Sequence, residues 1–392
     1  MRVVVVSEFY PRATDPVLGV WAHRQAMAAR DAGADVRVLV LHRPVPPLRT
    51  LREGPRAAAA AARELLRQPR RAELDGLQVE YVPFVSPPRP RTYGTWGAYA
   101  APSIGIALRR LRRSFPFDLV HAHNAVPAGE AVRRARISAP LVVSVHGGDV
   151  FHTGPGSDAG ASAVRAALSS ARLVLANIAG IERMTRAMGA ERTRVVHLGA
   201  DVPNGHLVAA PDPTLVTVGH LVARKRHADV LRAMWLLRDR MPSLRYLVIG
   251  DGPERPSLER LAGDLGLTDQ VEFAGQLPHT EALARMRHAH VFVLPSTDEA
   301  FGVAYVEAMA SGMPAVGALG EPGPEEITGA GDGMVLVPPG DPEMLAGAID
   351  ELFAEPRQRA ALGALARATV ERAFSWHACG QATVAAYEEA LR

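Results

Sequence analysis

Two glutamates eight positions apart, Glu299 and Glu307, stand in the run Pro-Ser-Thr-Asp-Glu-Ala-Phe-Gly-Val-Ala-Tyr-Val-Glu-Ala-Met-Ala-Ser-Gly at residues 295–312. From Gly302 to Gly312 the run is short, apolar and helix-compatible, and Glu307 is its one ionisable residue. Val303 before it and Ala310 after it put Glu307 on the apolar face of such a helix. No Lys or Arg lies one helical turn away to pair with it. A carboxylate in that setting needs a hydrogen-bonding partner to offset its burial. Glu299 falls at the strand-to-helix turn after Val291-Phe-Val-Leu294. Eight residues of helical rise span about 12 Å at most, enough to separate the two hydroxyl-bearing ends of a nucleotide sugar. Between the carboxylates, the backbone N–H groups of Ala300, Phe301 and Gly302, with Val303 beside them, open a helix, where anions bind well. Hydroxyls, then phosphate, then hydroxyls is the ligand chemistry that suits this order. Taken alone, Glu299 also reads as a helix cap or dipole partner.

Of the 44 basic residues, Lys225 alone is a lysine. An ammonium is a compact point charge suited to phosphate, and the neighbouring Arg224 offers a bidentate contact. Both lie where Val218-Gly-His-Leu-Val-Ala-Arg-Lys225 leaves a predicted strand, and ligands of open α/β sheets sit outside strand carboxyl ends. A surface basic pair is the other reading. In the first half of the chain, His146-Gly-Gly-Asp149 follows the strand Leu141–Val145. The two glycines let a ligand approach His146, whose neutral imidazole can hydrogen-bond a sugar hydroxyl or stabilise developing charge. An N-capping Asp149 beside an incidental histidine is the alternative. His121 and His123 share one face of their strand, but no third ligand is evident, so a metal site is not expected. His123, Asp149 and His220 are kept as possible acceptor or cleft residues. Gly250-Asp-Gly-Pro253 reads as a turn. No Gly-x-Gly-x-x-Gly follows the first strand and no acidic residue closes the second, which argues against a dinucleotide cofactor.

The elements that must position these residues follow a βαβ grammar. Strands are predicted at 2–6, 36–41, 119–123, 141–145, 173–176 and 195–198, with a helix over 20–33. The segment 202–214 reads as a linker. The grammar then restarts with strands at 215–219, 244–249, 271–273, 291–294, 314–317 and 334–337. A chain of 392 residues exceeds one ordinary domain, and two of roughly 180 residues are expected. An apolar content of 48% with 22% charge is sufficient for two cores. The N-terminal apolar run is too short for a signal peptide and no run nears the roughly 18 residues of a membrane span. The single cysteine, Cys379, excludes an internal disulfide and fits a reducing cytoplasm. Two stretches depart from the grammar. Residues 44–75 are Arg/Ala-rich with a predicted basic helix at 55–68, and residues 83–103 are Pro- and aromatic-rich. Arg52, Arg56, Arg63 and Arg67 read as a solvated face, or as a face toward anionic lipid or an acidic acceptor; peripheral membrane contact through 49–71 is the latter expectation.

The motif Pro-Ser-x-x-Glu-Ala-Phe-Gly-x-x-x-x-Glu-Ala-Met-Ala-Ser-Gly resembles that of the retaining GT-B glycosyltransferases of family four. Gly219…Lys225, His146-Gly-Gly-Asp149, Gly250-Asp-Gly-Pro253, Val337-Pro-Pro-Gly-Asp341 and Phe374-Ser-Trp376 agree with it in order and spacing. The resemblance implies two Rossmann-like α/β domains facing a deep cleft: an acceptor-side domain over 1–205 completed by a returning helix at 376–392, and a nucleotide-sugar domain over 206–375. It implies that Glu307 binds the ribose hydroxyls, and that Glu299, with the backbone at Phe301–Gly302, holds the transferred sugar. Lys225 and Arg224 would neutralise the diphosphate, Gly19 would admit it, Leu277 would lie against the base and His146 would touch the donor sugar. Retention of configuration without cofactor or metal follows from the same resemblance. The expected donor is a UDP- or GDP-sugar and the acceptor a glycan, lipid-linked or small-molecule hydroxyl; nucleic acid is not expected. The family often has Arg where this chain has His220, and many members have paired glycines where it has Gly19. A catalytically silent subunit of this fold that binds a glycan or partner, and a phosphorylase or epimerase, are the competing readings.

Overall fold

The computed structural model describes residues 1–46, 50, 52–89, 91–204 and 210–392. It divides into two compact units: Met1–Leu198 with Trp376–Arg392, and Gly199–Ser375. This division falls at Leu198/Gly199 rather than 205/206. The middle of the expected linker, residues 205–209, lies outside the described residues. So does Arg49 of the expected basic stretch.

The first unit opens with β1 (Arg2–Ser7), α1 (Val20–Asp31) and β2 (Asp35–His42). Then come α2 (Pro55–Leu66), β3 (Arg71–Leu74), β4 (Leu77–Pro83) and α3 (Trp96–Ser114). The unit continues with β5 (Leu119–His123), α4 (Glu130–Ala135), β6 (Leu141–Val145) and α5 (Asp158–Ser170). It ends its first pass with β7 (Leu173–Ala176), α6 (Ala179–Ala187) and β8 (Thr193–Val195). The sheet order is β3-β4-β2-β1-β5-β6-β7-β8. Every pairing is parallel except β3 with β4. Runs such as Val3–Val6 and Leu141–Val145 are buried throughout, as strands covered on both faces must be. The last strand lies at Thr193–Val195, not at the expected 195–198. The apolar Val195-Val-His-Leu run suggested the later position, but Val196 makes its backbone bond to Ala176 at the strand's end and the chain then leaves the sheet.

The second unit contains β9 (Thr214–Val218), α7 (His227–Leu237), β10 (Arg245–Ile249) and α8 (Arg255–Asp264). It proceeds through β11 (Val271–Gly275), α9 (His279–Met286), β12 (Val291–Leu294) and α10 (Val303–Ala310). It closes with β13 (Ala315–Ala318), α11 (Pro322–Ala330), β14 (Met334–Val337), α12 (Pro342–Ala354) and α13 (Pro356–Ala373). Its sheet is parallel, in the order β11-β10-β9-β12-β13-β14, over a core that includes Leu215, Val230, Val248, Val293 and Ile349.

In each sheet the strand order reverses once, between β1 and β5 and between β9 and β12. The crevice outside the carboxyl ends at such a reversal is where open α/β sheets hold ligands.

Helix α14 (Trp376–Leu391) returns to the first unit. The Tyr387 hydroxyl meets His121 Nδ1 at 2.7 Å, and Gln25 Nε2 donates to Thr383 Oγ1 at 3.1 Å. Gly380 lets α14 approach α1, because a Cβ there would overlap the Ala28 carbonyl. Among the described residues no helix is long and apolar enough to cross a membrane.

Candidate functional site

In the second unit the predicted residues gather at the β9/β12 reversal. Lys225 ends a short turn after β9 and Glu299 stands in the turn after β12. Their side chains meet, Lys225 Nζ to Glu299 Oε2 at 2.5 Å, and both are largely buried. Arg224 Nη1 lies 3.9 Å from the same oxygen, and Ser296 Oγ donates to it at 2.8 Å. Thr297 N–H donates to the Arg224 carbonyl at 2.8 Å, stitching the two loops together. Burial by itself pushes the Glu299 carboxyl up, but the Lys225 charge and hydrogen bond, with Arg224 and Ser296, hold it below its ordinary value. Glu299 is therefore an ionised carboxylate shared by two cations, not a cap on the following helix. The cap reading fails on a second count as well, because α10 begins only at Val303 with Gly302 as its left-handed N-cap at φ 80°. Ala300 and Phe301 thus precede the helix instead of opening it. The Gly302 conformation explains the offset: a Cβ on it would overlap the Tyr305 ring. Helix-start N–H groups lack intrahelical partners and remain suited to anions.

Glu307 is half-buried on α10 and partnered by His279 Nε2 at 2.7 Å. The sequence showed that Glu307 needed a partner but gave no route to His279, 28 positions away. The contact ties α10 to the β11–α9 loop, which also carries the half-buried Leu277. His220 is exposed just beyond β9. Ser296, overlooked although it lies inside the motif, and Glu321, whose Oε2 accepts the Glu299 N–H at 3.0 Å, complete the cluster.

In the first unit Gly19 caps α1 at φ 66°, and a Cβ there would overlap the Phe9 carbonyl. His123 at the end of β5 and His146 just past β6 form a pair, with Nδ1 and Nε2 2.9 Å apart and ring planes within 5° of parallel. His121 lies behind them, its Nε2 2.7 Å from Ser144 Oγ. Burial lowers His146 to about 4 and His121 to about 3, and lowers His123 well below its usual value. At neutral pH the bond between His123 and His146 therefore holds one proton, and one of the two outer nitrogens, His123 Nε2 or His146 Nδ1, carries the other. Neither outer nitrogen has a partner among the described residues. His146 can present a donor or an acceptor there, depending on which way the shared proton points.

Asp149 is placed differently from both sequence readings. Its buried carboxylate accepts the N–H groups of Ala125 at 2.9 Å and Val126 at 3.1 Å, and Asn124 Nδ2 at 3.3 Å. It clamps the turn after β5, and neither caps its own helix nor opens toward a ligand. Burial pushes it up to about 6 despite these bonds. Among the described residues no three His, Cys, Asp or Glu side chains converge as metal ligands do. Helix α2 ends at Leu66, earlier than predicted, and has no buried residue.

The chain matches the model of Glycosyltransferase Family 4 over residues 18–203 and that of glycosyl transferases group 1 over residues 202–369. It is 31% identical over 360 residues to a D-inositol 3-phosphate glycosyltransferase of Catenulispora acidiphila, covering 81% of this chain and 82% of the relative. A GDP-mannose-dependent phosphatidylinositol monomannoside mannosyltransferase of Mycolicibacterium smegmatis is 32% identical over 175 residues, 43% of this chain and 46% of that protein. The match thus spans about half the length of that relative. Among solved structures, sucrose-phosphate synthase from Thermosynechococcus elongatus superposes with a TM-score of 0.79 at 21% identity, covering 99% and 98% of the two chains. Anabaena Alr3699/HepE in complex with UDP and glucose superposes with a TM-score of 0.72 at 20% identity, covering 99% of both. These two likenesses concern the fold, which is the two-domain GT-B arrangement of parallel sheets.

Proposed function

The chain belongs to glycosyltransferase family 4, and from that premise we propose that it moves a hexose-type sugar from a nucleoside-diphosphate sugar to a hydroxyl acceptor, with retention and without a metal. The observation that carries this reading is the buried Lys225–Glu299 contact at 2.5 Å, with Arg224 beside it, at the reversal of the second sheet. A lone ammonium at that position supplies the positive charge that a departing diphosphate requires, in a site where burial strengthens electrostatics. In the proposed step the bond from the anomeric carbon to the diphosphate oxygen breaks as the acceptor oxygen bonds to the same face. The departing phosphate oxygen takes the acceptor's proton. Lys225 and Arg224 stabilise the charge that accumulates on the diphosphate, and Glu299 fixes the ammonium and accepts hydrogen bonds from the sugar.

Glu307, steadied by His279, is assigned to the ribose hydroxyls, and Leu277 on the tethered loop to the base. Val303 and the backbone from Ala300 to Gly302 are assigned to phosphate and sugar. His146 is assigned to the transferred sugar, with His123 setting its tautomer, and Gly19 to the backbone that admits the diphosphate. Relatives named for GDP-mannose, and a fold neighbour solved with UDP and glucose, support a GDP- or UDP-linked hexose as the first donors to try.

The test is a transfer assay that pairs UDP- and GDP-hexoses with acceptors, followed by NMR of the product's anomeric centre with and without EDTA. The expected result is nucleoside diphosphate release only with acceptor present, an unchanged anomeric configuration and no effect of EDTA. Tight nucleotide binding with no release under any pairing would favour a silent binding subunit, and phosphate-dependent turnover a phosphorylase.

A further inference from the structure

Three arginines follow three adjacent parallel strands of the first sheet at their carboxyl ends: Arg12 after β1, Arg43 after β2 and Arg89 after β4. Two are locked by carbonyl oxygens, which fix a guanidinium without neutralising it. Arg12 Nη2 donates to the carbonyls of Glu8 at 2.7 Å and Leu41 at 3.1 Å. Arg43 donates to the Ser86 carbonyl at 2.8 Å and the Val45 carbonyl at 3.0 Å. Arg89 is the most exposed of the three, its side chain 42% exposed where Arg12 and Arg43 are half-buried. Its Cζ lies 4.0 Å from the Tyr93 ring centroid and 4.9 Å from that of Trp96, so its face is covered while the edge of its fork away from Glu8 stays open. Only Nη2 is engaged, with Glu8 Oε1 at 2.6 Å; no other hydrogen bond from Arg89 exists among the described residues. Glu8 is itself shared, since the Tyr93 hydroxyl donates to its second oxygen at 2.6 Å.

The corner is therefore short of negative charge. Three guanidinium groups face the carboxylate of Glu8, with Asp15 pulling on Arg12 more weakly than Glu8 does. Burial lowers Arg12 and Arg43, and the charge of Arg89 lowers both further against the opposing pull of Glu8. The corner and His146 also belong to one face of the same unit. Arg89 packs over Phe9, the Phe9 and Trp21 ring centroids are 6.0 Å apart, and those of Trp21 and His146 are 6.3 Å apart.

We infer that this corner is an anion subsite for the acceptor, which carries a phosphate ester gripped by the free edge of Arg89 in the field of Arg12 and Arg43. A planar fork grips two phosphate oxygens at once, and the three guanidinium groups outnumber the carboxylates of Glu8 and Asp15 beside them. The inference rests on the glycosyl-transfer reading, and adds that the acceptor is a phosphorylated hydroxyl compound, either a soluble ester or a lipid headgroup.

The test uses the full chain saturated with nucleoside diphosphate, so that the donor's phosphate positions are filled, and titrates inorganic phosphate by NMR line broadening and calorimetry. The expected result is saturable binding that Arg89→Gln weakens at least tenfold and Arg89→Lys weakens to an intermediate degree, with thermal unfolding close to wild type for the lysine variant. Should Arg89→Gln not fold because Glu8 is left unpaired, Arg89→Lys decides, since it keeps the charge but loses the fork. A second arm compares vesicles of phosphatidylcholine with and without phosphatidylglycerol. Arg89-dependent sedimentation with the anionic vesicles assigns the phosphate to a lipid, and soluble binding alone assigns it to a small ester. Phosphate binding that ignores Arg89 in both arms overturns the inference. Failure of nucleoside diphosphate to bind would instead strike the donor reading, and the dependence of phosphate binding on Arg89 would still be read.

Discussion

At the scale of single residues, the account turns on what each side chain already holds. Lys225 is paired with Glu299 before any phosphate arrives, so the two substitutions should separate. Glu299→Gln keeps an oxygen for Lys225 but removes the competing charge. We expect nucleoside diphosphate affinity to hold or tighten while sugar transfer falls more than tenfold, about 1.4 kcal/mol or more, read by calorimetry and by turnover. A residue serving only as a helix cap would lower stability and leave that split absent. His123 makes a comparable prediction. His123→Asn offers an amide near the Nδ1 position and should retain the His146 tautomer in ¹⁵N NMR, whereas His123→Phe should leave the tautomers mixed and slow transfer more than fivefold. Much of this was legible in sequence, because Glu299, Glu307 and Lys225 are odd residues for their surroundings. His279 and Arg89 were not, because their roles exist only once distant loops meet. Asp149 was misread for the same reason: its partners, the N–H groups at 125 and 126, have no signature in side-chain types.

At the scale of elements, the strands were the easiest to foresee. Buried parallel strands read as unbroken Val/Leu runs; β8, short and at the sheet's edge, was placed too late, and the antiparallel β3–β4 pair, whose residues alternate between covered and exposed, was not foreseen. Loop conformations were harder. Gly19 and Gly302 sit at positive φ where a Cβ would strike backbone or ring atoms, and nothing in a sequence separates such a glycine from an ordinary turn. Gly19→Ala should therefore displace the β1–α1 loop, cutting transfer at least tenfold while far-ultraviolet circular dichroism stays unchanged. The contact between α1 and α14 has its own prediction. Gly380→Val forces a branched side chain against the Ala28 carbonyl, an overpacking that typically costs about 1–3 kcal/mol, and should lower the thermal midpoint. An unchanged midpoint would mean that α14 is not seated as described.

At the scale of the whole molecule, charge buried in neutral form couples stability to pH. His121 is lowered to about 3, and His146 and His227 to about 4, chiefly by burial, with the Lys225 charge adding to the shift of His227. A lowered imidazole contributes stability that is complete above its ordinary value near 6.5 and is lost as pH falls toward the folded value. Asp149, raised to about 6, acts oppositely: its contribution is present at low pH and is lost as pH rises through about 6. The imidazoles outnumber it, so the thermal midpoint should fall by at least about 4 °C between about pH 7 and about pH 4.5. A flat profile would show that these histidines are hydrated. The two-unit plan was readable because the strand grammar restarts after 202. The division at Leu198/Gly199 was not, since it depends on packing and not on composition. The central claim is that one ammonium grips a diphosphate, and calorimetric titration of UDP and GDP into wild type and Lys225→Ala tests it most directly. The account predicts saturable binding of at least one nucleotide to the wild type and a loss of more than tenfold in the variant, with its fold intact. Equal affinity in the two proteins would contradict it.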